Sequence, residues 1–350
     1  MLNKDQKLAI YMEGELAGDF AKMCHGILRY SPNEIAAIID SHYAGKNVQD
    51  VVASPRSVPV VGTIDEAIAL GARAFVLGIA LPGGHIPESW YPAIDEAVAK
   101  GLSVVNGLHD RLSPRYLNVN EGQWIWDIRV EPAGLETGTG AARTLNNKRV
   151  LFIGTDMAIG KMTAGLELYR VAKERGIRTG FVATGQIGIT IMGSGIPLDA
   201  IRVDYASGAV EREVMSLSDE ELVIVEGQGA LLHPSSSATL PLLRGSCPTH
   251  LILCHKARQT TLRSYKDISI PPLLEYIKLY EDLAEVNGTY PRPKTVAICL
   301  NTSALSECEA RNETMRILDE TGLPAVDPVT GDPGLLLTAL VKSPTILDQH

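Results

Sequence analysis

The sequence lacks three features that would each point to a class of protein: an excess of basic residues, cysteines at ligand spacing, and a long apolar run. Its formal net charge is −9, with 41 Asp and Glu against 32 Lys and Arg. Nucleic-acid-binding proteins usually carry a basic stripe that displaces counterions from phosphates. The charge balance therefore argues against a nucleic-acid partner and favours a small-molecule substrate.

The five cysteines show neither metal-site nor redox spacing, and their odd number gives no disulfide framework. The longest uncharged run, residues 179–198, holds five glycines and Pro197, which indicates a loop-rich segment rather than a membrane span. The first residues carry charges where a signal peptide needs its apolar core. We therefore expect a cytoplasmic chain with reduced thiols, no metal and no membrane partner.

At 350 residues, the chain is long enough for two domains or one large one. In the first half, short apolar runs alternate with helical stretches, which predicts a parallel sheet covered by helices. The expected fold class is α/β, with a Rossmann-like domain over residues 1–145 and a P-loop NTPase-like domain with a mostly parallel sheet over residues 146–350. The strands expected in the first half are residues 8–12, 35–39, 60–61, 74–77 and 102–106.

The second half opens on a strand, a glycine-bracketed loop and a helix. The apolar run 150–153 predicts a buried strand, and helical apolar spacing follows the loop. Gly154 and Gly160 allow the backbone N–H groups between them to turn inward and cradle a phosphate with the helix N-terminus. Lys161 lies at the start of the helix, where a cation is otherwise disfavoured, so it indicates a bound anion.

This loop departs from the pattern G-x-x-x-x-G-K-[ST] in two ways. One extra residue separates the glycines, and Met162 follows the lysine, so the hydroxyl is delayed to Thr163. One residue turns a helical side chain by roughly 100°, so Thr163 is not expected to hold Mg²⁺. The sequence thus predicts phosphate binding and does not support metal-dependent hydrolysis. The alternative is that the two glycines only close a tight turn between the strand and the helix. The residues assigned to this phosphate site are Gly154, Thr155, Asp156, Met157, Ala158, Ile159, Gly160, Lys161, Met162 and Thr163.

Polar residues follow further expected strands, at the edge where open parallel sheets bind ligands. Glu226 follows the apolar run 222–225, either as a metal-holding or water-orienting acid or as an ion-pair partner of Lys161. Gln186 follows the strand expected at residues 179–184 and should face the pocket. A short strand is expected at residues 201–203.

Histidines and cations mark other expected strand ends. The segment after residues 249–254 suits recognition of a carboxylate or phosphate, or is a solvated helix face. Its candidate cations are His255, Lys256, Arg258 and Arg263. In the first half, His85 beside two glycines and His109 beside Asp110 are candidates for a base, for ligand binding, or for histidines that cap strand ends.

Several segments resemble known proteins. GTDMAIGK and VEGQGALLHP are similar to segments of dethiobiotin synthetase, an ATP-dependent carboxylate-activating enzyme. Over essentially its full length, the chain resembles a family of bacterial P-loop-fold proteins that includes D-glutamate N-acetyltransferases. The segments that carry this resemblance are GTDMAIGKMTAGLEL, VATGQIGI, VDYASGA, VEGQGALLHP and CHKARQT, with EGELAG and NGLHDRL in the first half. Part of the first half also loosely resembles the CoA-binding domain of the succinyl-CoA synthetase alpha chain.

The family resemblance implies acetyl transfer from acetyl-CoA, the co-substrate, to the amine of an acidic D-amino acid such as D-glutamate, in a homo-oligomer. Such a reaction needs a base for the amine and donors for the oxyanion. The candidate bases are Glu226, Asp204 and His233. The residues expected to contact substrate are Gln186, Arg202, Gly227, Gln228, Gly229 and Arg258.

Two other functions stay open. An ATP-dependent ligase or kinase of the dethiobiotin synthetase type would use Asp156 and Glu226 with Mg²⁺. A non-catalytic sensor would bind a nucleotide or CoA without turnover. The departures in the phosphate loop disfavour the first function, and the concentration of polar residues at strand ends disfavours the second.

Overall fold

The computed structural model describes residues 2–81 and 83–343. It divides into two compact units, each built around a six-stranded sheet. The first unit holds the residues up to Glu131 together with Gln186–Ala200, and the second holds Pro132–Gly185 and the residues from Ile201 onward. The division therefore differs from the expected boundary at residue 145, because residues 132–145 join the second unit and residues 186–200 return to the first.

The first unit contains strands β1 to β6, and all of its strand pairs are parallel. The strands are β1 Leu8–Tyr11, β2 Ile35–Ile39, β3 Val60–Val61, β4 Ala74–Leu77, β5 Ser103–Asn106 and β6 Ile125–Asp127. Their order is β3-β2-β1-β4-β5-β6, the arrangement of a Rossmann sheet. The five strands expected from the sequence are confirmed, and β6 is an addition.

The helices are numbered along the whole chain. They are α1 Lys22–Tyr30, α2 Ile64–Ala69, α3 Tyr91–Ala99, α4 Lys161–Glu174, α5 Gln186–Met192, α6 Val203–Met215, α7 Thr239–Ser246, α8 Leu273–Glu285, α9 Glu307–Thr321 and α10 Gly334–Lys342. Helix α2 begins where Thr63 and Glu66 form a reciprocal capping box. Helix α5 belongs to the first unit and packs against α1. No helix in the described part of the chain is long and apolar enough to cross a bilayer.

The second unit contains strands β7 to β12, again in parallel pairs. They are β7 Lys148–Gly154, β8 Thr179–Val182, β9 Leu222–Val225, β10 His250–Lys256, β11 Lys294–Asn301 and β12 Ala325–Val326. The order is β12-β11-β10-β7-β9-β8, so the chain passes from β9 on one side of β7 to β10 on the other. Such a reversal leaves a crevice at the carboxyl ends of the strands, and the glycine-bracketed loop starts there.

The prediction of a short strand at residues 201–203 is wrong, because helix α6 begins at Val203. Ala206, Ala209, Val210 and Val214 are buried on this helix. Their spacing of three to four residues is that of a helix rather than of a strand. The run 201–203 was too short to show this period, which becomes visible only with the residues that follow it.

Candidate active site

The loop from Gly154 to Gly160 joins β7 to α4 and forms an anion cradle. The backbone N–H groups of residues 158–163 donate no hydrogen bond to any residue that the structure describes. Gly160 caps α4 with a φ of 106°, which is strained for residues with a side chain. Unpaired N–H groups at the start of a 14-residue helix attract negative charge. The cradle therefore has the chemistry of a phosphate site.

Lys161 is buried directly beneath this loop. Its Nζ donates to the carbonyl oxygen of Asp156 at 2.8 Å. Burial lowers the pKa of Lys161 to about 8, although the nearby Asp156 and Glu226 act in the opposite direction. Because a buried charge without a counterion is unfavourable, a bound phosphate would stabilise the charged form of this lysine.

The carboxylate of Asp156 braces the loop. One oxygen accepts from the N–H of Met157 at 2.6 Å. The other accepts from Nε2 of Gln259 at 2.6 Å and from the N–H of Arg263 at 2.8 Å. Asp156 thus ties the phosphate loop to the segment after β10. These three donors occupy both of its oxygens.

Glu226 follows β9 and is the most strongly perturbed carboxyl group of this region. Its Oε2 accepts from the N–H groups of Thr184, at 2.8 Å, and Gly185, at 3.2 Å. Burial raises the pKa of Glu226 to about 7, although these two hydrogen bonds and the charge of Lys161 lower it in part. Since Lys161 bonds instead to Asp156, the ion pair considered for Glu226 and Lys161 does not form within the described chain. A carboxyl group with this pKa can exchange a proton near neutral pH.

The segment after Glu226 lies tightly against strand β7. A Cβ added at Gly227 would overlap the carbonyl oxygen of Phe152, so only glycine fits there. Gln228 donates from Nε2 to the carbonyl oxygen of Thr184 at 2.6 Å. The backbone N–H groups of residues 227–229 bond to no described residue. They remain available as donors, as an oxyanion would require.

Two tyrosines of α8 hold this segment in place. The hydroxyl of Tyr276 accepts from the N–H of Leu232 at 3.2 Å and donates to the carbonyl oxygen of Gly154 at 3.2 Å. The hydroxyl of Tyr280 accepts from the N–H of Leu231 at 3.0 Å. Tyr276 therefore links the segment after β9 directly to the start of the phosphate loop.

His233 is buried, and both of its ring nitrogens have neighbours. Nδ1 accepts from the N–H of Ser235 at 3.1 Å, which assigns the ring proton to Nε2. Nε2 lies 4.0 Å from Oδ1 of Asp156. Because the lone pair of the neutral ring is already engaged, this histidine is poorly placed to take a proton from a substrate.

A cavity of about 210 Å³ adjoins the phosphate loop. Its walls come from the start of α4 and from the segments after β11 and β12. The polar residues among those that line it are Thr163, Asn301, Ser303, Asp327 and Thr330. Thr163, whose hydroxyl is displaced by one residue from the usual motif position, is thus one of the residues that line this cavity.

Comparison with known proteins places the chain in a family. Two models match, each described as a domain of unknown function: the Rossmann-like DUF1611_N over residues 41–131 and the P-loop DUF1611_C over residues 136–337. The chain belongs to the DUF1611 family. A crystal structure of a DUF1611 protein from Anabaena variabilis matches with a TM-score of 0.92 and 43% identity, covering 97% of this chain and all of that one.

Two curated relatives of this DUF1611 chain carry the name D-glutamate N-acetyltransferase. The relative from Pseudoalteromonas sp. is 39% identical over 273 residues, which cover 76% of this chain and 81% of the relative. The relative from Tritonibacter scottomollicae is 37% identical over 283 residues, which cover 79% of this chain and 84% of the relative. The family resemblance read from the sequence is thereby confirmed.

The other expected site residues of this DUF1611 chain have the following places in the structure. Asp204 is exposed in the first turn of α6, and the guanidinium of Arg202 stacks over Tyr205 at 4.6 Å. Arg258 donates to Glu309 at 2.9 Å. Gln186 begins α5 in the other unit. Within the second unit, the structure thus brings together the phosphate loop, Glu226 and residues 227–229. Asp204 and Arg258 form no hydrogen bond to them among the described residues.

His255 was also expected to act as a cation, and the structure corrects this. Its Nδ1 lies 2.9 Å from Oγ1 of Thr155, and burial lowers its pKa to about 4. It is therefore neutral at physiological pH and helps to position the phosphate loop. Sequence reasoning did not include Thr184, Tyr276 or Tyr280 in the site. The only signal in the sequence was that each is a polar residue, one at the end of a strand and two on a helix, which does not identify a site residue.

Proposed function

We propose that this DUF1611 protein transfers the acetyl group of acetyl-CoA to the amino group of an acidic D-amino acid, with D-glutamate as the first candidate. The names of two relatives at 37% and 39% identity support the reaction. The observation that carries the chemistry is Glu226, a buried carboxyl group with a pKa of about 7 beside an anion cradle. Acetyl-CoA presents both a phosphate-rich end and a thioester, so it needs both features.

The phosphate loop suits the CoA part without a metal ion. Its free N–H groups and Lys161 supply several donors and one positive charge. The cavity of about 210 Å³ beside it is smaller than the roughly 300–1,000 Å³ of a complete ligand pocket. We assign it to one part of CoA, the adenine ring, with Asn301 and Ser303 as hydrogen-bonding partners.

Glu226 supplies the base. A substrate ammonium group must lose one proton before its nitrogen can attack the thioester, and Glu226 accepts that proton. The new N–C bond then forms and the C–S bond breaks. The second proton of the nitrogen leaves with the sulfur as CoA thiol. Negative charge that develops on the acetyl oxygen is stabilised by the N–H groups of residues 227–229.

The test combines binding and turnover on the purified chain. Thermal unfolding is followed with acetyl-CoA, CoA, ATP and ATP with Mg²⁺, because a ligand that binds only the folded state raises the midpoint. Thiol release from acetyl-CoA is measured with D- and L-glutamate. Stabilisation by CoA ligands, with thiol release on D-glutamate, is the expected result. Stabilisation by Mg-ATP alone, without thiol release, would contradict the proposal and favour a ligase or kinase.

The role of Glu226 is tested by Glu226→Gln, which keeps the shape of the side chain. We expect acetyl-CoA to stabilise this variant as it does the wild type, while thiol release falls by about 10²–10⁴-fold, the usual contribution of a general base. Glu281→Gln is the matched control, because Glu281 is a partly buried carboxyl group that likewise accepts from a backbone N–H, that of Thr295 at 2.8 Å. Unchanged turnover in Glu226→Gln would rule this residue out as the base.

A further inference from the structure

A second group of polar side chains lies in the first unit, at the carboxyl ends of β4, β5 and β6. His109 and Asp110 follow β5, and Arg129 follows β6. Gly84 and His85 lie in the segment after β4. This edge is the ligand side of an open parallel sheet. The proposed acetyl transfer assigns no role to any of these residues.

Hydrogen bonds fix the segment after β4 to the segment after β5. The N–H of His109 donates to the carbonyl oxygen of Gly84 at 2.7 Å. Asp110 accepts from the N–H of Ile86 at 2.6 Å, and its other oxygen lies 3.0 Å from Nδ1 of His85. The two segments are therefore held in one arrangement before any ligand arrives, which lowers the entropy cost of binding.

Arg129 has hydrogen-bonding capacity that the described residues do not use. Its side chain is only 11% exposed, and one terminal nitrogen lies 3.3 Å from Oδ2 of Asp199. Its Nε is buried and has no partner among the described residues. Buried N–H groups in native proteins nearly always have a partner. An incompletely satisfied guanidinium at a strand end therefore points to an absent acceptor.

The absence of a side chain at Gly84 allows the side chains of Arg129 and His109 to approach the same point. A Cβ at this position would lie 2.6 Å from Nη1 of Arg129 and would overlap Cδ2 of His109. Both side chains therefore approach the bare backbone of the same residue. Burial and the neighbouring Arg129 lower the pKa of His109, which leaves it as a neutral ring with one N–H donor.

We propose that Arg129 and His109, held over Gly84, bind the carboxylate group of a small organic acid. Arginine beside a second donor suits the two oxygens of a carboxylate. The negative charge of Asp199 already offsets the positive charge of Arg129, so a group with one negative charge is favoured over a doubly charged phosphate. An acidic amino acid is one such ligand.

Binding is tested on the full-length protein without acetyl-CoA, by calorimetric titration with glutarate and with D-glutamate. Only the choice of D-glutamate rests on the proposed function. We expect both acids to bind the wild type, and Arg129→Gln to weaken both by at least about tenfold, the effect of losing a charged hydrogen bond. Arg115→Gln is the matched control, since Arg115 is half exposed in the same unit and pairs with Asp95. It should change affinity by less than about twofold, as expected for a surface pair.

Two results would overturn this inference: no binding of either acid to the wild type, or unchanged affinity for both acids in Arg129→Gln. If circular dichroism shows that Arg129→Gln is unfolded, His109→Gln and Gly84→Ala replace it, and unchanged affinity in both would have the same meaning. Thiol release from acetyl-CoA is measured separately. Because glutarate has no amine to acetylate, failure of the carboxylate site is distinguishable from failure of acetyl transfer.

Discussion

The buried carboxyl group of Glu226 makes the stability of the second unit depend on pH. Its pKa is raised from the ordinary 4.5 to about 7. Between these values, the folded protein binds the proton more tightly than the unfolded chain does, so stability falls as pH rises. Since one pH unit corresponds to about 1.4 kcal/mol, ionised Glu226 costs the folded state roughly 3 kcal/mol above pH 7. Below pH 4.5 the group is neutral in both states and this cost disappears.

Glu226→Gln removes the ionisation and therefore the cost. We expect the variant and the wild type to have similar free energies of unfolding near pH 4.5. At pH 8 the variant should be more stable by up to roughly 3 kcal/mol. Urea unfolding followed by far-UV circular dichroism at both pH values measures this difference. Tryptophan fluorescence serves as an internal reference, because Trp90, Trp124 and Trp126 are the only tryptophans of the chain and all lie in the first unit.

The decisive quantity is how the difference in unfolding free energy between Glu226→Gln and the wild type changes with pH. A difference in stability between Glu226→Gln and the wild type that is the same at pH 4.5 and pH 8 would refute the reasoning. So would a variant that is less stable at pH 8. Glu281→Gln should behave differently, because it weakens a hydrogen bond to the N–H of Thr295 and so lowers stability at pH 8 by about 1 kcal/mol.

Three further predictions follow from the same region. If Glu226 is the base, kcat/KM rises with pH through about 7 and then levels off, and a profile flat from pH 6 to 8 would contradict this role. Lys161, with a pKa of about 8, is about half neutral at pH 8, so acetyl-CoA binding should take up protons there, measurable by calorimetry in buffers of different ionisation enthalpy. Lys161→Met should remove that uptake. Tyr276→Phe leaves the N–H of Leu232 and the carbonyl oxygen of Gly154 without their partner, so it should cost about 1–3 kcal/mol in urea unfolding; an unchanged midpoint would count against the bridge.

The sequence predicted the sheets well because their signals are local. The runs at residues 35–39 and 222–225 are apolar throughout and lie in buried strands. The phosphate loop could also be predicted from the sequence, since two glycines and a lysine at a strand-to-helix junction are typical of an anion-binding site. Glu226 could be found by position alone, as the first polar residue after a buried strand. What each of these features required was contained within about ten neighbouring residues.

The remaining features depend on contacts between residues that are distant in sequence. The bond from Tyr276 to Gly154 joins residues 122 positions apart, and the one from Arg258 to Glu309 spans 51. Neither partner could be identified from composition or spacing. The tautomer of His233 depends on the N–H of Ser235, whose direction is set by a turn that only the folded chain defines. The packing of residues 186–200 into the first unit likewise cannot be predicted from the spacing of apolar residues in the sequence.

Lys161 and Glu226 show how one site can combine anion binding with proton transfer. If the two formed a direct ion pair, each would stabilise the charged form of the other, moving their pKa values apart. Instead, Lys161 bonds to a backbone carbonyl group and Glu226 to two backbone N–H groups. Burial moves both pKa values toward neutrality, and the two N–H groups oppose that shift at Glu226 only in part. The charge of Lys161 is therefore left for a phosphate, and Glu226 keeps a proton affinity suited to a base near pH 7. Burial of both groups without a direct ion pair between them is thus what the proposed acetyl transfer requires.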